Sequence, residues 1–182
     1  MARLPKEQGV VDYGSFQVRA GEPDLRLFVN LLVDYQAGRL ARWLGSGPLL
    51  IDAGAGVGAF SFLALKVASH IGQRPELLAL EADPDRHRFL SGQPFASSLS
   101  IRDVGAPTAA KLEALATRTT LLNLDLDGAE LDVLNAGLPK NVEFLFLRWH
   151  HSGSPRELLP SGFLQLVSRD PHGSTSWAWE RS

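Results

Sequence analysis

Short apolar runs alternate with helical spacing along most of this chain. Residues 49–52, 77–81, 98–103, 120–125 and 142–147 read as strands, and residues 57–71, 84–90, 108–116 and 129–135 as helices. The runs LLNL and VEFLFL are nearly continuous in apolar residues, the pattern of parallel strands covered on both faces by helices. Asp83-Pro84 is a cap followed by a first-turn proline, a sharp helix start. Ahead of the first strand, Leu25, Phe28, Val29, Leu32, Val33, Leu40, Trp43 and Leu44 keep helical spacing between Pro23 and Gly45. Trp43 is expected to anchor that helix to the core. At the other end, FLQLVSR and STSWAWER flank Asp170-Pro171-His172-Gly173, two strand-like runs around a turn. The pattern predicts an α/β fold, a doubly wound and mostly parallel sheet closed by a C-terminal antiparallel hairpin. One domain is expected over 1–182, with an N-terminal segment and helix (1–47) before the α/β core (48–182).

Composition narrows the function classes. With 45% hydrophobic and 21% charged residues the chain is ordinary for a globular domain. Net charge is −2 and the basic residues are scattered, so nucleic acid is not expected as a partner. The absence of cysteine excludes disulfides, thiolate metal sites and a cysteine nucleophile. MARLPKEQGVVDYG lacks the apolar core of a signal peptide, and no apolar run reaches about 18 residues. A cytoplasmic protein without membrane association is the expectation, and homo-oligomerisation stays open.

The chemistry concentrates in LLIDAGAGVGAFSFL, residues 49–63. An apolar run ends on Asp52, a loop carries Gly54, Gly56 and Gly58, a helical pattern follows, and the next apolar run ends on Glu81. Strand, glycine turn, helix and a second strand ending in a carboxylate form a nucleotide-binding βαβ unit. The glycines admit backbone close to a ligand, and Glu81 can accept two hydrogen bonds from a ribose diol. The loop alone does not decide between methyl and hydride transfer, since Gly54-x-Gly56-x-x-Ala59 also fits the dinucleotide fingerprint.

An acid before a glycine loop in a hairpin-closed α/β sheet resembles the class I S-adenosylmethionine-dependent methyltransferases. Asp52-Ala-Gly54-Ala-Gly56-Val-Gly58 is similar to their first motif, and Glu81 to the acid ending their second strand. LLNLDLDGAELDVL (121–134) resembles the lysine–isoleucine–Asp–Val–Glu–Gly–Ala–Glu signature of the FkbM family. Asp125, Gly128 and Glu130 match it; Asp127 replaces a glutamate, Asn123 stands where lysine is usual, and Gly56 where asparagine is common. The segment from Asp103 to Thr119 is shorter than in that family, and Arg148-Trp149-His150-His151 replaces its usual acid-containing segment. The resemblance implies an S-adenosyl-L-methionine site from Asp52, Gly54, Ala55, Gly56, Gly58, Glu81, Ala82, Asp103 and Asp125. In it, Glu81 holds the ribose, Asp52 and Asp125 shape the methionine end, and Asp103 meets the adenine amino group.

Each candidate also has a plainer role. Asp52 is expected to hold the glycine loop by accepting backbone N–H bonds, and Asp103 is equally a loop carboxylate. Asp127-x-x-Glu130 is a helix capping box, with Glu130 facing the cleft as the other option. Asp125 ends a strand, a position favouring a site role. His150 follows the fifth strand and is the candidate base, with packing on Trp149 the alternative for His150 or His151. No metal-ligand spacing supports a site from Asp125, Asp127 and His150, so no metal is expected. Phe163, Leu166, Trp177 and Trp179 alternate as sheet-packing positions of the hairpin.

The leading expectation is therefore an S-adenosylmethionine-dependent O-methyltransferase of FkbM type acting on a small-molecule, sugar or natural-product hydroxyl, with His150 and Asp125 in catalysis. A nicotinamide-dependent oxidoreductase uses the same βαβ unit, but no Tyr-x-x-x-Lys dyad is present. A cofactor-binding module without catalysis is the third reading, because the short segment before Thr119 leaves little material for an acceptor pocket.

Overall fold

In the computed structural model, residues 10–12, 15–19, 35–102, 105–169 and 173–182 are described. Strands β1 (Val10–Asp12) and β2 (Gln17–Arg19) pair as a small antiparallel ribbon, which the sequence pattern did not suggest. Phe16, at its turn, is fully buried against Phe62 and Phe95, which explains how so short a ribbon is held. Helix α1 (Ala37–Leu44) is the described end of the first expected helix; 23–34 lie outside the described residues. Its Trp43 stacks on Phe144 and meets Phe146 at a tilt, at 5.1 and 4.9 Å between ring centres, the anchoring role its position implied.

The core then runs β3 (Leu49–Ala53), α2 (Ala59–His70), β4 (Leu77–Leu80), α3 (Pro84–Ser91), β5 (Ser100–Arg102), α4 (Ala109–Leu115), β6 (Thr120–Leu124), α5 (Glu130–Ala136) and β7 (Val142–Trp149). The hairpin β8 (Gly162–Arg169) and β9 (Thr175–Arg181) completes it; residues 170–172 of its expected turn lie outside the described residues. These seven strands form one sheet in the order β5-β4-β3-β6-β7-β9-β8. β3 to β7 pair in parallel, while β9 runs antiparallel to both β7 and β8.

Pleating splits the core into two layers. Leu50 faces a cluster with Leu40, Trp43, Phe60, Ala64, Leu90 and Phe146, so α1, α2 and α3 cover one face. Leu49, Ile51 and Ala53 face Leu112, Val133, Leu134, Leu122 and Trp179, so α4 and α5 cover the other. All five residues of β3 and of β6 are buried, as double coverage requires. In the hairpin Trp179 is buried, but Phe163 points outward, 62% exposed. Strand order reverses at β3, between β4 on one side and β6 on the other, so the helix-linked loops part there and leave a crevice at the carboxyl ends.

Candidate functional site

A cleft of about 280 Å³ occupies that crevice, close to the lower size of small-ligand sites. Gly54 floors it after β3, Glu81, Ala82 and Asp83 come from the end of β4, and Arg86 from the first turn of α3. Asp125, Leu126, Asp127 and Ala129 follow β6, and Ala106 and Pro107 close the far side. Of the residues expected at a cofactor site, Gly54, Glu81, Ala82 and Asp125 therefore line the cleft. Ala55, Gly56 and Gly58 build the loop behind it, Asp52 lies beneath, and Asp103 lies outside the described residues.

Gly54, in the cleft lining, and Gly56, in the loop behind it, differ in kind. Gly54 has φ +84°, and a Cβ there would overlap the Asp125 carbonyl oxygen, so β3 and the segment after β6 touch backbone to backbone. Gly56 has φ +56° with open space over its missing Cβ, a cradle that a side chain would fill.

The loop is held by a different acid from the expected one. Glu81 is 5% exposed; its Oε2 accepts from the Gly56 N–H at 2.7 Å and its Oε1 from the Asp83 N–H at 2.7 Å. Each oxygen keeps a second lone pair for a ligand hydroxyl. Asp52 instead accepts from Ser61 Oγ at 2.6 Å and Asn123 Nδ2 at 2.9 Å. Asp52 and Asn123 are register partners on β3 and β6, which sets their side chains on one face. Burial pushes the Asp52 carboxyl up to about 6, and the hydrogen bonds from Ser61 and Asn123 offset this only in part. Ser61 and Asn123 are neutral partners and the nearby Glu81 adds to the rise, so much of that burial cost stays in place. Ser61 and Asn123 were not singled out in the sequence, although Asn123 in place of a lysine was a visible signal.

Adjacent strand ends bring the second group together. β6 and β7 are neighbours, so Asp125 and His150 meet across 25 residues of chain: His150 Nε2 lies 3.9 Å from Asp125 Oδ1. His150 Nδ1 lies 2.9 Å from Oε1 of Glu130, a fully buried residue opening α5. His151 donates from Nε2 to the Gly128 carbonyl at 3.0 Å and packs on Trp149, so the packing role belongs to His151. Burial pushes Asp125 up to about 7, with His150 and Arg148 pulling the other way. The hydrogen bond to Glu130 raises His150 above the ordinary histidine value; burial opposes it, and Asp125 and Asp127 reinforce it.

The expected capping box does not form: α5 starts from Ala129 with no side-chain cap, and Glu130 is buried rather than facing the cleft. Asp127 sits at φ +51° and pairs with Arg86 at 3.0 Å across the cleft rim instead of capping α5. Glu130 does reach back, accepting from the N–H groups of Leu126 at 2.6 Å and Gly128 at 3.2 Å. Arg86 escaped the sequence reading, yet Asp83-Pro84 places it in the first turn of a helix opening at the sheet edge. Donor atoms of Asp125, Asp127 and His150 come within 4.8 Å of one another despite their uninformative spacing, with Asp127 engaged by Arg86 and His150 by Glu130.

No family model matches the chain, and no curated protein matches it either. Among solved structures it is similar to a SAM-dependent methyltransferase from Agrobacterium tumefaciens, at 11% identity and TM-score 0.60, over 97% of this chain and 71% of that one. It is similar to Pyrococcus horikoshii TYW2, crystallised with MeSAdo, at 12% identity and TM-score 0.56, over 95% and 70%. It is also similar to an rRNA methylase from Streptococcus thermophilus, at 12% identity and TM-score 0.54, over 81% and 95%.

That last likeness corrects the expectation that nucleic acid is not a partner. An rRNA methylase carries this fold over nearly its whole length, so a net charge near zero and scattered basic residues do not exclude an RNA acceptor. Net charge averages over the surface, whereas acceptor choice resides in the loops grafted on a shared sheet. Among the described residues, no helix is long and apolar enough to cross a membrane. With its parallel core, its hairpin-closed edge and these neighbours, the chain has the class I methyltransferase fold.

Proposed function

We propose that the protein is an S-adenosylmethionine-dependent methyltransferase, of FkbM type by its 121–134 segment, transferring methyl to a hydroxyl oxygen. The observation that carries this reading is the cleft at the strand-order reversal, where Glu81 both fastens the glycine loop and faces the ligand space. The residues fit the cofactor in kind. Glu81 has lone pairs for the ribose hydroxyls, Gly54 and Ala82 line the cleft without bulky side chains, and the open space over Gly56 accommodates ligand atoms. Ala55 and Gly58 shape the loop, and Asp52 braces β3 against α2 and β6 below it.

When bound, the cofactor supplies an electrophilic methyl on a positively charged sulfur. This chain's own residues supply placement and proton removal. Asp125 and Asp127 line the cleft wall, and the negative charge they carry when ionised favours a cation there. His150 takes the acceptor proton at Nε2, the ring nitrogen directed at the cleft-lining Asp125. Because the hydrogen bond to Glu130 raises His150 above the ordinary histidine value, its neutral, base-competent form gains with rising pH.

Calorimetry with S-adenosylhomocysteine and with NAD tests the cofactor half, where binding of NAD alone would favour a dehydrogenase. Labelled methyl transfer into metabolite and total-RNA pools tests the other half. Tight binding without transfer to either pool would favour the non-catalytic module.

A further inference from the structure

One buried charge touches the candidate base without itself reaching the cleft. Glu130 opens α5 with no exposed surface, and a carboxylate held there costs several kcal/mol unless it is well paired. Its Oε1 accepts from two backbone N–H groups and meets the His150 ring; its Oε2 has no hydrogen-bond partner and lies 3.7 Å from His151 Nε2. Fastening the turn before α5 explains the two backbone bonds. It does not explain a histidine ring delivered by the neighbouring strand at 2.9 Å.

Protonation decides what that contact does. Burial works against the ionised form of Glu130, but the hydrogen bonds from His150, Leu126 and Gly128 together hold its carboxyl below the ordinary range. An ionised carboxylate only accepts, so the proton of the contact sits on His150 Nδ1. A neutral imidazole with Nδ1–H has its lone pair on Nε2, and Nε2 is the atom facing Asp125 at the cleft. We propose that Glu130 is a positioning residue: it locks His150 in the Nδ1–H form with a basic Nε2 presented to the cleft, and stabilises the imidazolium once Nε2 is protonated. The catalytic consequence rests on the reading of His150 as the base; the tautomer lock does not. The charged and titratable groups around this pair are Asp125 after β6, itself acted on by Arg148 of β7, Asp127 with its partner Arg86 from α3, and His151.

The test is nitrogen-detected NMR of the imidazoles across pH in the protein without cofactor, with His150 assigned from a His150→Gln variant. The wild type is expected to show His150 with Nδ1 protonated and Nε2 bare at high pH, and a titration above that of a free histidine. Glu130→Gln keeps an amide oxygen for the Leu126 and Gly128 N–H groups. It is expected to lose the tautomer preference, bring the titration back towards the ordinary histidine value, and leave S-adenosylhomocysteine affinity within about twofold. Methyl transfer into the same pools should fall about 100-fold in this variant, with its pH profile displaced towards lower pH. A wild-type ring carrying its proton on Nε2 overturns the lock without recourse to any variant, and so does a titration unmoved in Glu130→Gln. A moved titration with an unmoved rate profile upholds the lock and overturns His150 as the base.

Discussion

Replacing Glu81 by alanine removes one carboxylate that serves two tasks, so its effect must be read in two assays. In the free protein it leaves the Gly56 and Asp83 N–H groups without their acceptor. Hydrogen bonds to a charged group contribute about 1.5–3 kcal/mol each when buried, but both amides lie beside a cleft from which water can replace the lost oxygen. A stability loss of about 2 kcal/mol is expected in urea unfolding, with the fold retained because β4 keeps its four buried residues. Cofactor affinity loses the ribose contacts as well, again about 2 kcal/mol or roughly 30-fold in Kd, by calorimetry with S-adenosylhomocysteine. Glu81→Gln separates the tasks: it keeps one oxygen acceptor, retains most of the stability and still weakens binding. Affinity within about twofold of wild type in Glu81→Ala, beside a lowered melting temperature, would make Glu81 a loop fastener only and refute its role at the ribose.

Gly56→Val is expected to fold with a loss of about 1–2 kcal/mol from its left-handed backbone, since nothing blocks a Cβ there, and to lose S-adenosylhomocysteine binding; normal binding would move the cradle elsewhere. Asp52→Asn tests a buried acid whose folded pKa is raised from 3.8 to about 6. The folded state binds the proton more tightly, so the wild type loses stability as pH rises from about 4 to about 6, on the order of 3 kcal/mol in the limit. The variant's stability relative to wild type should climb over that window, and an equal difference at pH 4 and pH 7 would contradict it. His150→Ala should lower single-turnover methyl transfer about 100-fold with cofactor affinity within a few-fold, and the wild-type rate should rise with pH through an apparent pKa above the ordinary histidine value; a full rate in the variant removes His150 from the mechanism.

Local pattern was enough for the framework because the strands are buried on both faces. LLNL and VEFLFL can satisfy that environment in only one way, and Asp83-Pro84 caps α3 as written, with the Asp83 carboxylate accepting from Asp85 and Arg86. Glu81 and Asp125 were legible for a related reason: an acid ending an apolar strand must emerge at the sheet's carboxyl edge. What sequence could not show were contacts fixed by strand order. Asp52 and Asn123 become partners only because β6 lies beside β3, and Glu130 reaches His150 only because β7 lies beside β6. Fastening the glycine loop fell to Glu81 and not to Asp52 for the same reason, since the Gly56 N–H meets the acid at the end of β4. The β1–β2 ribbon depends on Phe16 finding Phe62 and Phe95, a tertiary contact with no local periodicity. RNA was wrongly set aside as an acceptor class because net charge describes the whole surface and says nothing of loops at one sheet edge.

The most direct test of the account is a crystal structure with S-adenosylhomocysteine bound. The account predicts ribose hydroxyls within hydrogen-bond distance of Glu81, ligand atoms over Gly56, and the sulfur on the Asp125 side of the cleft, within reach of an acceptor held near His150 Nε2. Ligand density at another surface, or a ribose turned away from Glu81 with the Asp125 wall left bare, would contradict it.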